Sequence, residues 1–335
     1  MASTCPTTSR LLQLPAAVRR VALCQTLTPT VLRASPIATS FGRDSPATTI
    51  TNTQGRRDYA TAQANPPPTR PQTPSSSSVN ETEVSHFSAL ASSWWDPHGS
   101  SRLLHLMNPL RHDFIRTCLA REAREPGEKL RYLDIGCGGG IFAESAARMR
   151  NSAGVVAVDP TPEVIAVAKQ HARQDPTLME PGNLQYINTA IENLDQHLPD
   201  AAARQFDIVT LFEVIEHIQH PAPFLRNCLD SLKPGGWLIG STIARHPVSW
   251  FTTKFMAEDV LGLVPRGTHD WNQYIQPHEL RDWARQQPEL STSDGPGWQM
   301  QGVIYVPGLG WKQVDGSETI GNYFFGVKKR GLASN

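Results

Sequence analysis

Glu213, Glu216 and His217, in LFEVIEHI, follow directly on the apolar run FDIVTLF at 206–212. Their spacing of i, i+3 and i+4 predicts that one helical turn after a strand would put all three on one face. Unpaired charge in a protein interior is costly, so these groups must reach water, a cation or a substrate. Two carboxylates and an imidazole can hold a divalent cation with positions left open for substrate and water. The alternatives are that His217 acts directly as a general base or that the segment only caps the strand. His220, followed by Pro221, reads as an exposed loop histidine rather than a fourth ligand.

A second group of chemistry-bearing residues lies earlier. LDIGCGGGIFAE places Asp134, Gly136, Gly138, Gly139 and Gly140 between a predicted strand and a predicted helix. Glycine there lets the backbone bend sharply and approach a ligand without a Cβ in the way. The next strand, VVAVDP, ends at Asp159, where a carboxylate can accept both hydroxyls of a ribose. Gly136, Gly138 and Ile141 do not complete a GxGxxG pattern, which weakens a dinucleotide reading. Asp134 weakens it further, because a carboxylate there repels a pyrophosphate but can hold an ammonium. The pair Asp134 and Asp159 therefore favours S-adenosylmethionine over NAD.

These residues need an edge on which to meet. From residue 130 the chain alternates short apolar runs with helix-period stretches, the pattern of a mostly parallel sheet covered by helices. LRYLDIG, GVVAVDP, NLQYIN, FDIVTLF and GWLIGST read as five strands, with KPGG as the turn into the fifth. WQMQGVIYVPG and NYFFGVKK read as an antiparallel pair at the end of the sheet, making seven strands in an α/β fold. In such open sheets ligands bind at the carboxyl ends of the strands, where Asp134, Asp159 and Glu213 all fall.

The two ends of the chain differ in composition. Residues 1–59 hold seven arginines, no lysine and two acids among many Ser, Thr and Ala, which is the make-up of a mitochondrial transit peptide. RRDYATAQ offers a matrix-protease site with cleavage after Tyr59. Residues 60–80 include NPPPTRPQTPSSSS, an extended Pro/Ser-rich linker, and the folded domain is expected over 81–330. Of 31 basic and 31 acidic side chains, 24 and 29 lie beyond residue 59, a mildly acidic balance that argues against nucleic acid as the main partner. The widely spaced Cys118, Cys137 and Cys228 form no disulfide framework or CxxC pair. No apolar run reaches the length of a bilayer span, so any membrane contact is peripheral.

LDIGCGGG, VVAVDP, FDIVTLFEVIEHI and LKPGGWLIGST, in this order, resemble the class I (Rossmann-like) S-adenosylmethionine-dependent methyltransferases. FSALASSWWDPHGSSRLLHLMNPLR (87–111) and VPRGTHDWNQYIQPHEL (264–280) narrow the likeness to the O-methyltransferases of ubiquinone biosynthesis, over roughly residues 84–328. The resemblance implies a seven-stranded mostly parallel sheet with helices on both faces, an N-terminal helical cap and a lid inserted after strand 5, at about 246–270. It implies S-adenosylmethionine at Arg111, Asp134, Gly136, Gly138, Asp159 and Phe212, with Arg111 on the methionine carboxylate. Ala190, Ile191 and Glu192 are adenine-side candidates by superfamily analogy. It further implies Mg²⁺ held by Glu213, Glu216 and His217, which are also the catalytic candidates.

The substrates so implied are polyprenyl catechols and quinols, including dihydroxybenzoate and demethylubiquinol types. The expected place is the matrix side of the mitochondrial inner membrane, bound peripherally within a multisubunit coenzyme Q biosynthesis complex. Trp250, Phe251, Phe255, Met256, Val260, Leu261 and Leu263 recur near helical spacing in the lid, with Lys254 and Arg266 as its only nearby bases. Such a stripe is usually core packing, but its place after the fifth strand and the resemblance imply an amphipathic face for the membrane and the polyprenyl tail. Trp94 and Trp95, on the cap, either close over the cofactor or anchor the cap to the core. The competing functions are a C- or N-methyltransferase on a soluble substrate, an idle scaffold of a quinone-biosynthesis complex, and an NAD-dependent oxidoreductase.

Overall fold

The structure, a computed structural model, describes residues 77–120, 125, 127–250, 273–291 and 297–331. All of them fall within one compact unit, Arg70–Asn335. The expected presequence at 1–59, the linker up to residue 76 and the lid stripe from the Trp250 side chain onward lie outside the described residues.

The five apolar runs form β1 (Leu130–Ile135), β2 (Ser152–Asp159), β3 (Leu184–Asn188), β4 (Phe206–Phe212) and β5 (Leu232–Ile243). They pair in parallel in the order β3, β2, β1, β4, β5. Every residue of β4 except Asp207 is buried, as expected of a central parallel strand covered on both faces. The seven expected strands are present, and the described residues add two short ones. β6 (Leu290–Ser291) pairs with β9 (Asn322–Lys329), and β8 (Gly310–Gln313) pairs antiparallel with β7 (Trp298–Val306). β9 inserts antiparallel between β5 and β7. KPGG is not a separate turn. It lies within β5, where the pairing jumps from Phe206–Leu232 to Ile208–Trp237, so the glycines form an irregularity in a longer strand.

Alternate strand residues feed two cores. Tyr132, Val155, Ala157, Ile208, Trp237 and Ile239 pack with α2 (Arg102–Leu119), α3 (Ile141–Ala147) and α4 (Pro162–Ala172). Leu133, Val156, Val158, Val209, Leu211 and Leu238 pack with α5 (Pro221–Asp230) and α6 (Pro277–Arg285). The period-2 pleat makes these opposite faces, so helices cover the sheet on both sides. Ahead of the sheet, α1 (Glu81–Leu90) begins at Asn80, whose side chain accepts from Thr82 N at 3.0 Å. The following WWDP segment is not helical. Trp94 and Trp95 sit in a turn after a short 3₁₀ stretch, and Trp94 joins a small third core with Ala91, Ile141 and Val164.

Gly240, in the middle of the sheet, leaves no room for a side chain. A Cβ there would stand 2.6 Å from both Leu211 O and Phe325 Cζ, on either side of β5. Gly240→Ala is expected to lower unfolding free energy by about 1–3 kcal/mol, read as a shifted urea midpoint with unchanged slope.

Candidate active site

The turn after β1 is built on positive φ, 66° at Gly136 and 52° at Gly138, a conformation that a side chain strains. It is fastened to the tip of β2. The N–H groups of Gly136 and Cys137 both donate to Val158 O, at 2.8 and 3.1 Å, and Gly138 N donates to Asp159 Oδ2 at 3.0 Å. Thr161 N donates to the other oxygen, Asp159 Oδ1, at 2.9 Å. Each carboxylate oxygen keeps lone pairs for a diol. The Trp94 ring lies against Gly138 and Gly139, so closely that a Cβ on either would collide with it. Trp95 Nε1 donates to Gly139 O at 2.9 Å, and its ring stacks on His171 at 3.5 Å. His171 in turn meets Glu144 Oε1 at 2.8 Å. The two tryptophans thus anchor the cap, Trp94 packed against the glycine turn and Trp95 bonded to it.

Arg111 enters from α2, and only 4% of it is exposed. Asn108, one turn earlier, donates to Ser145 Oγ at 2.9 Å and fixes α2 against α3. The guanidinium lies 4.9 Å over the Phe212 ring, and its Nε is buried without a hydrogen-bond partner. Burial lowers the Arg111 pKa, opposed by the nearby charges of Glu213, Asp134 and Glu216. Asp134 accepts from Thr210 Oγ1 at 2.8 Å through Oδ1, while its buried Oδ2 has no partner. Burial pushes its carboxyl up to about 7, against the pull of Thr210 and Arg111. Burial likewise raises Asp159 against the two backbone N–H bonds it accepts.

At the end of β4, Glu213 adopts φ 57°, the one non-glycine residue with positive φ among the described residues. Its N–H donates to Ser241 O at 3.2 Å and to Ser241 Oγ at 3.1 Å, while Ser241 Oγ donates to Glu213 Oε1 at 2.6 Å. Asn322 Nδ2 donates to Glu213 Oε2 at 3.4 Å. A 3₁₀ turn, Ile215–His217, follows. Glu216 is buried and accepts from Thr242 Oγ1 at 2.9 Å. Burial and the Glu213 charge raise its pKa to about 7, with His217 opposing. His217 Nδ1 lies 3.0 Å from Glu83 Oε2 on α1. Burial works against its charge, but the Glu83 bond and the surrounding carboxylates leave its pKa raised.

The three residues therefore do not occupy one helical face. The left-handed residue at the strand end and the tighter 3₁₀ turn send each side chain to a different neighbour: Ser241 and Asn322, Thr242, or Glu83. Among the described residues no group of three or more His, Cys, Asp or Glu side chains gathers in a geometry that could hold a metal. As folded, the triplet does not fit the Mg²⁺ cage expected of it.

All nine expected site residues, Arg111, Asp134, Gly136, Gly138, Asp159, Phe212, Glu213, Glu216 and His217, line one cavity of about 800 Å³. Ala190 and Ile191 line it as well, whereas Glu192 is not part of the wall. His220 is exposed at the start of α5 and stands apart. Sequence reasoning missed Glu83, Thr210, Ser241, Thr242 and Asn322. The serine and threonines lie in strands otherwise filled with apolar residues, a local signal that was available. Glu83 carries no comparable mark.

The cavity apart, comparisons place the chain. Residues 104–287 match a methyltransferase domain family. The mitochondrial ubiquinone biosynthesis O-methyltransferase of Candida albicans is 37% identical over 290 residues, covering 75% of this chain and 86% of that protein. The mitochondrial one of Schizosaccharomyces pombe is 41% identical over 257 residues, covering 75% and 87%. The ubiquinone biosynthesis O-methyltransferase of Cereibacter sphaeroides (strain ATCC 17029 / ATH 2.4.9) is 43% identical over 217 residues, covering 63% and 83%. Among solved structures, the plantazolicin methyltransferase BpumL in complex with SAH superposes with a TM-score of 0.50 at 15% identity, covering 75% of this chain and 97% of that one. That likeness carries the fold alone, and the fold and domain match define a class I methyltransferase. The chain belongs to the ubiquinone biosynthesis O-methyltransferase family. Membership makes it an enzyme, an S-adenosylmethionine-dependent O-methyltransferase.

The raised Asp134 carboxyl gives a pH test. Its pKa rises from 3.8 to about 7 on folding, so the folded state binds the proton more tightly than the unfolded chain. The stability this group contributes is therefore present at low pH and lost as pH climbs toward 7. Asp134→Asn removes that term, and urea unfolding of the ligand-free protein from pH 5 to pH 8 should show a smaller decline for the variant.

Proposed function

We propose that the protein methylates a hydroxyl of polyprenylated catechol or quinol intermediates of ubiquinone, with the cofactor along the glycine turn and the acceptor at the Glu213–His217 segment. The reading rests on one observation, that the glycine turn with Asp134 and Asp159 opens into the same cavity as His217. In this assignment Asp159 takes the ribose hydroxyls, Asp134 Oδ2 the methionine ammonium, and Arg111 its carboxylate. Among the wall atoms that lack partners, which also include Trp94 Nε1, Asp134 Oδ2 and Arg111 Nε are of the right polarity for a zwitterion. Phe212, under Arg111, holds the guanidinium in place.

The acceptor hydroxyl, with a pKa near that of tyrosine at about 10, is a poor nucleophile until its proton leaves. His217 takes that proton as the acceptor oxygen attacks the methyl carbon. The carbon–sulfur bond breaks with its electron pair going to sulfur, and S-adenosylhomocysteine and protonated His217 remain. A sulfonium supplies its own leaving group, so the protein mainly aligns the reactants and excludes water. Leu103, Val248, Ile304, Tyr305 and Trp311 give the cavity an apolar wall, which suits an isoprenoid tail.

Fungal relatives are named mitochondrial, and the arginine-rich, acid-poor residues 1–59 support the same compartment for this chain. No helix among the described residues is long and apolar enough to cross a membrane. A peripheral position on the matrix side of the inner membrane, within a multisubunit coenzyme Q biosynthesis complex, completes the proposal. A second reading, dependence on Mg²⁺, is favoured by the crowding of Glu213 and Glu216, whose mutual repulsion a cation would relieve. Against it, the side chains of Glu213, Glu216 and His217 do not gather on a common point.

Transfer of labelled methyl from S-adenosylmethionine to a short-chain demethylubiquinol tests the assignment. His217→Gln is expected to lower kcat by about 10²- to 10⁴-fold while S-adenosylhomocysteine still binds. The wild-type enzyme is expected to remain active in chelator. Activity lost in chelator and restored by Mg²⁺ would replace the general base with the metal reading, and absence of transfer to any catechol would remove the substrate class.

A further inference from the structure

A buried N–H without a partner costs stability, so one that persists calls for a physical reason. Trp94 carries one. Only 7% of the residue is exposed, and its Nε1 has no hydrogen-bond partner among the described residues. Its neighbour Trp95, of the same type and in the same turn, donates its own Nε1–H to Gly139 O at 2.9 Å. Trp94 is not loose. Its N–H donates to Ala91 O at 3.2 Å, His105 Nε2 meets its O at 2.9 Å, and Phe87, Ile141 and Val164 pack with the ring. The indole is therefore held in place with its one polar atom left over. It lines the cavity, as do Arg111 and Asp134, the other two side chains of that wall with unpartnered buried atoms.

The position of the ring points to the acceptor. The six-membered ring lies against Gly138, whose N–H is bonded to Asp159 Oδ2, and the five-membered ring lies against Gly139. Val164, which packs with Trp94, sits on α4, the helix that follows Asp159. Trp94 thus belongs to the Asp159 end of the cavity. An ionised carboxylate only accepts, so it takes hydroxyl protons from a diol and leaves the hydroxyl oxygens with free lone pairs. An indole N–H only donates, and it supplies the complementary bond.

We propose that Trp94 Nε1 is a cofactor ligand, donating to a ribose oxygen of the S-adenosylmethionine whose hydroxyls Asp159 receives. The cap then contributes a polar contact as well as cover, and the cofactor in turn fastens the cap, since the bond exists only when both are in place. The inference rests on the assignment of Asp159 to the ribose in the reading above, and it is independent of the acceptor and of the base.

The test measures binding of S-adenosylhomocysteine and of methylthioadenosine to the full chain by calorimetry, beside urea unfolding of the ligand-free protein. Methylthioadenosine keeps the ribose and lacks the amino-acid end. Trp94→Phe removes the N–H, and benzothienylalanine at position 94 removes it with the ring shape kept, which separates a lost bond from lost packing. Both changes are expected to weaken both ligands roughly 5- to 10-fold, the worth of one neutral hydrogen bond. The isostere is expected to leave the ligand-free urea midpoint at or above wild type, because the donor it removes has no partner there. Trp95→Phe is expected to lower that midpoint, because its N–H is bonded. Asp159→Asn is expected to weaken both ligands.

Unchanged affinity of both ligands for the isostere, beside a weakened Asp159→Asn, overturns the inference and leaves the cofactor reading in place, with Trp94 a packing residue. Weaker S-adenosylhomocysteine with unchanged methylthioadenosine overturns the ribose as the acceptor. An isostere midpoint that falls as far as that of Trp95→Phe overturns the inference as well, since the N–H then has a partner within the protein. Failure of the wild type to bind S-adenosylhomocysteine, or wild-type affinity in Asp159→Asn, overturns the cofactor reading and the inference with it.

Discussion

One buried cation sets the terms for the rest of the site. Arg111 is removed from water at the carboxyl edge of a parallel sheet, where its charge is sustained by carboxylates at the ends of β1 and β4. Breaking such a cluster by deleting one partner leaves a buried charge uncompensated, at a cost of about 3–5 kcal/mol. Arg111 in turn opposes the burial that pushes Asp134 toward neutrality, while His217 and Thr242 oppose it at Glu216. The constraint also explains why α2 must be held so firmly, through Asn108 to α3 and through Trp311 Nε1, which bonds Leu103 O. A shift of α2 would carry the guanidinium off Phe212 and out of reach of its counter-charges.

What could be read in the sequence was what depends on neighbours along the chain. The five parallel strands announce themselves through apolar runs, and the turn after β1 through glycines that take up positive φ without strain. Two features escaped for opposite reasons. KPGG has the composition of a turn, yet it is an irregularity inside β5, where the pairing with β4 resumes at Trp237 after Leu232 and β9 pairs from Trp237 onward. The Glu213–His217 spacing fits a helix equally well on paper, but Ser241 on the adjacent strand pins Glu213 in a left-handed conformation before any helix can start. Glu83 lies more than a hundred residues from its partner, and nothing in its own surroundings marks it.

The family-specific segments and the superfamily segments divide the labour in space. The glycine turn, Asp159 and the β4 edge belong to the general fold. WWDP and NPLR, both within the stretch 87–111 that helps narrow the family, come to lie on that general frame, Trp94 over the glycines and Arg111 beside the carboxylates. Their aromatic and charged residues are otherwise expensive to place, since Trp94 is nearly fully buried and Arg111 is buried with a charge. Such residues persist where the surrounding shape leaves no cheaper occupant.

The fastening of the glycine turn to the tip of β2 has a separate consequence. Val158 O receives two N–H groups and Asp159 Oδ2 a third, so three bonds span the gap between the two strands within four residues of turn. The Asp159 side and the glycine-turn side of the cavity are then one rigid body rather than two independent surfaces. Under the proposed assignment, a cofactor analogue altered at its ribose would displace Asp159, and through it the backbone proposed to carry the opposite end of the same molecule. Discrimination at one end of the ligand is felt at the other, with no moving part between them.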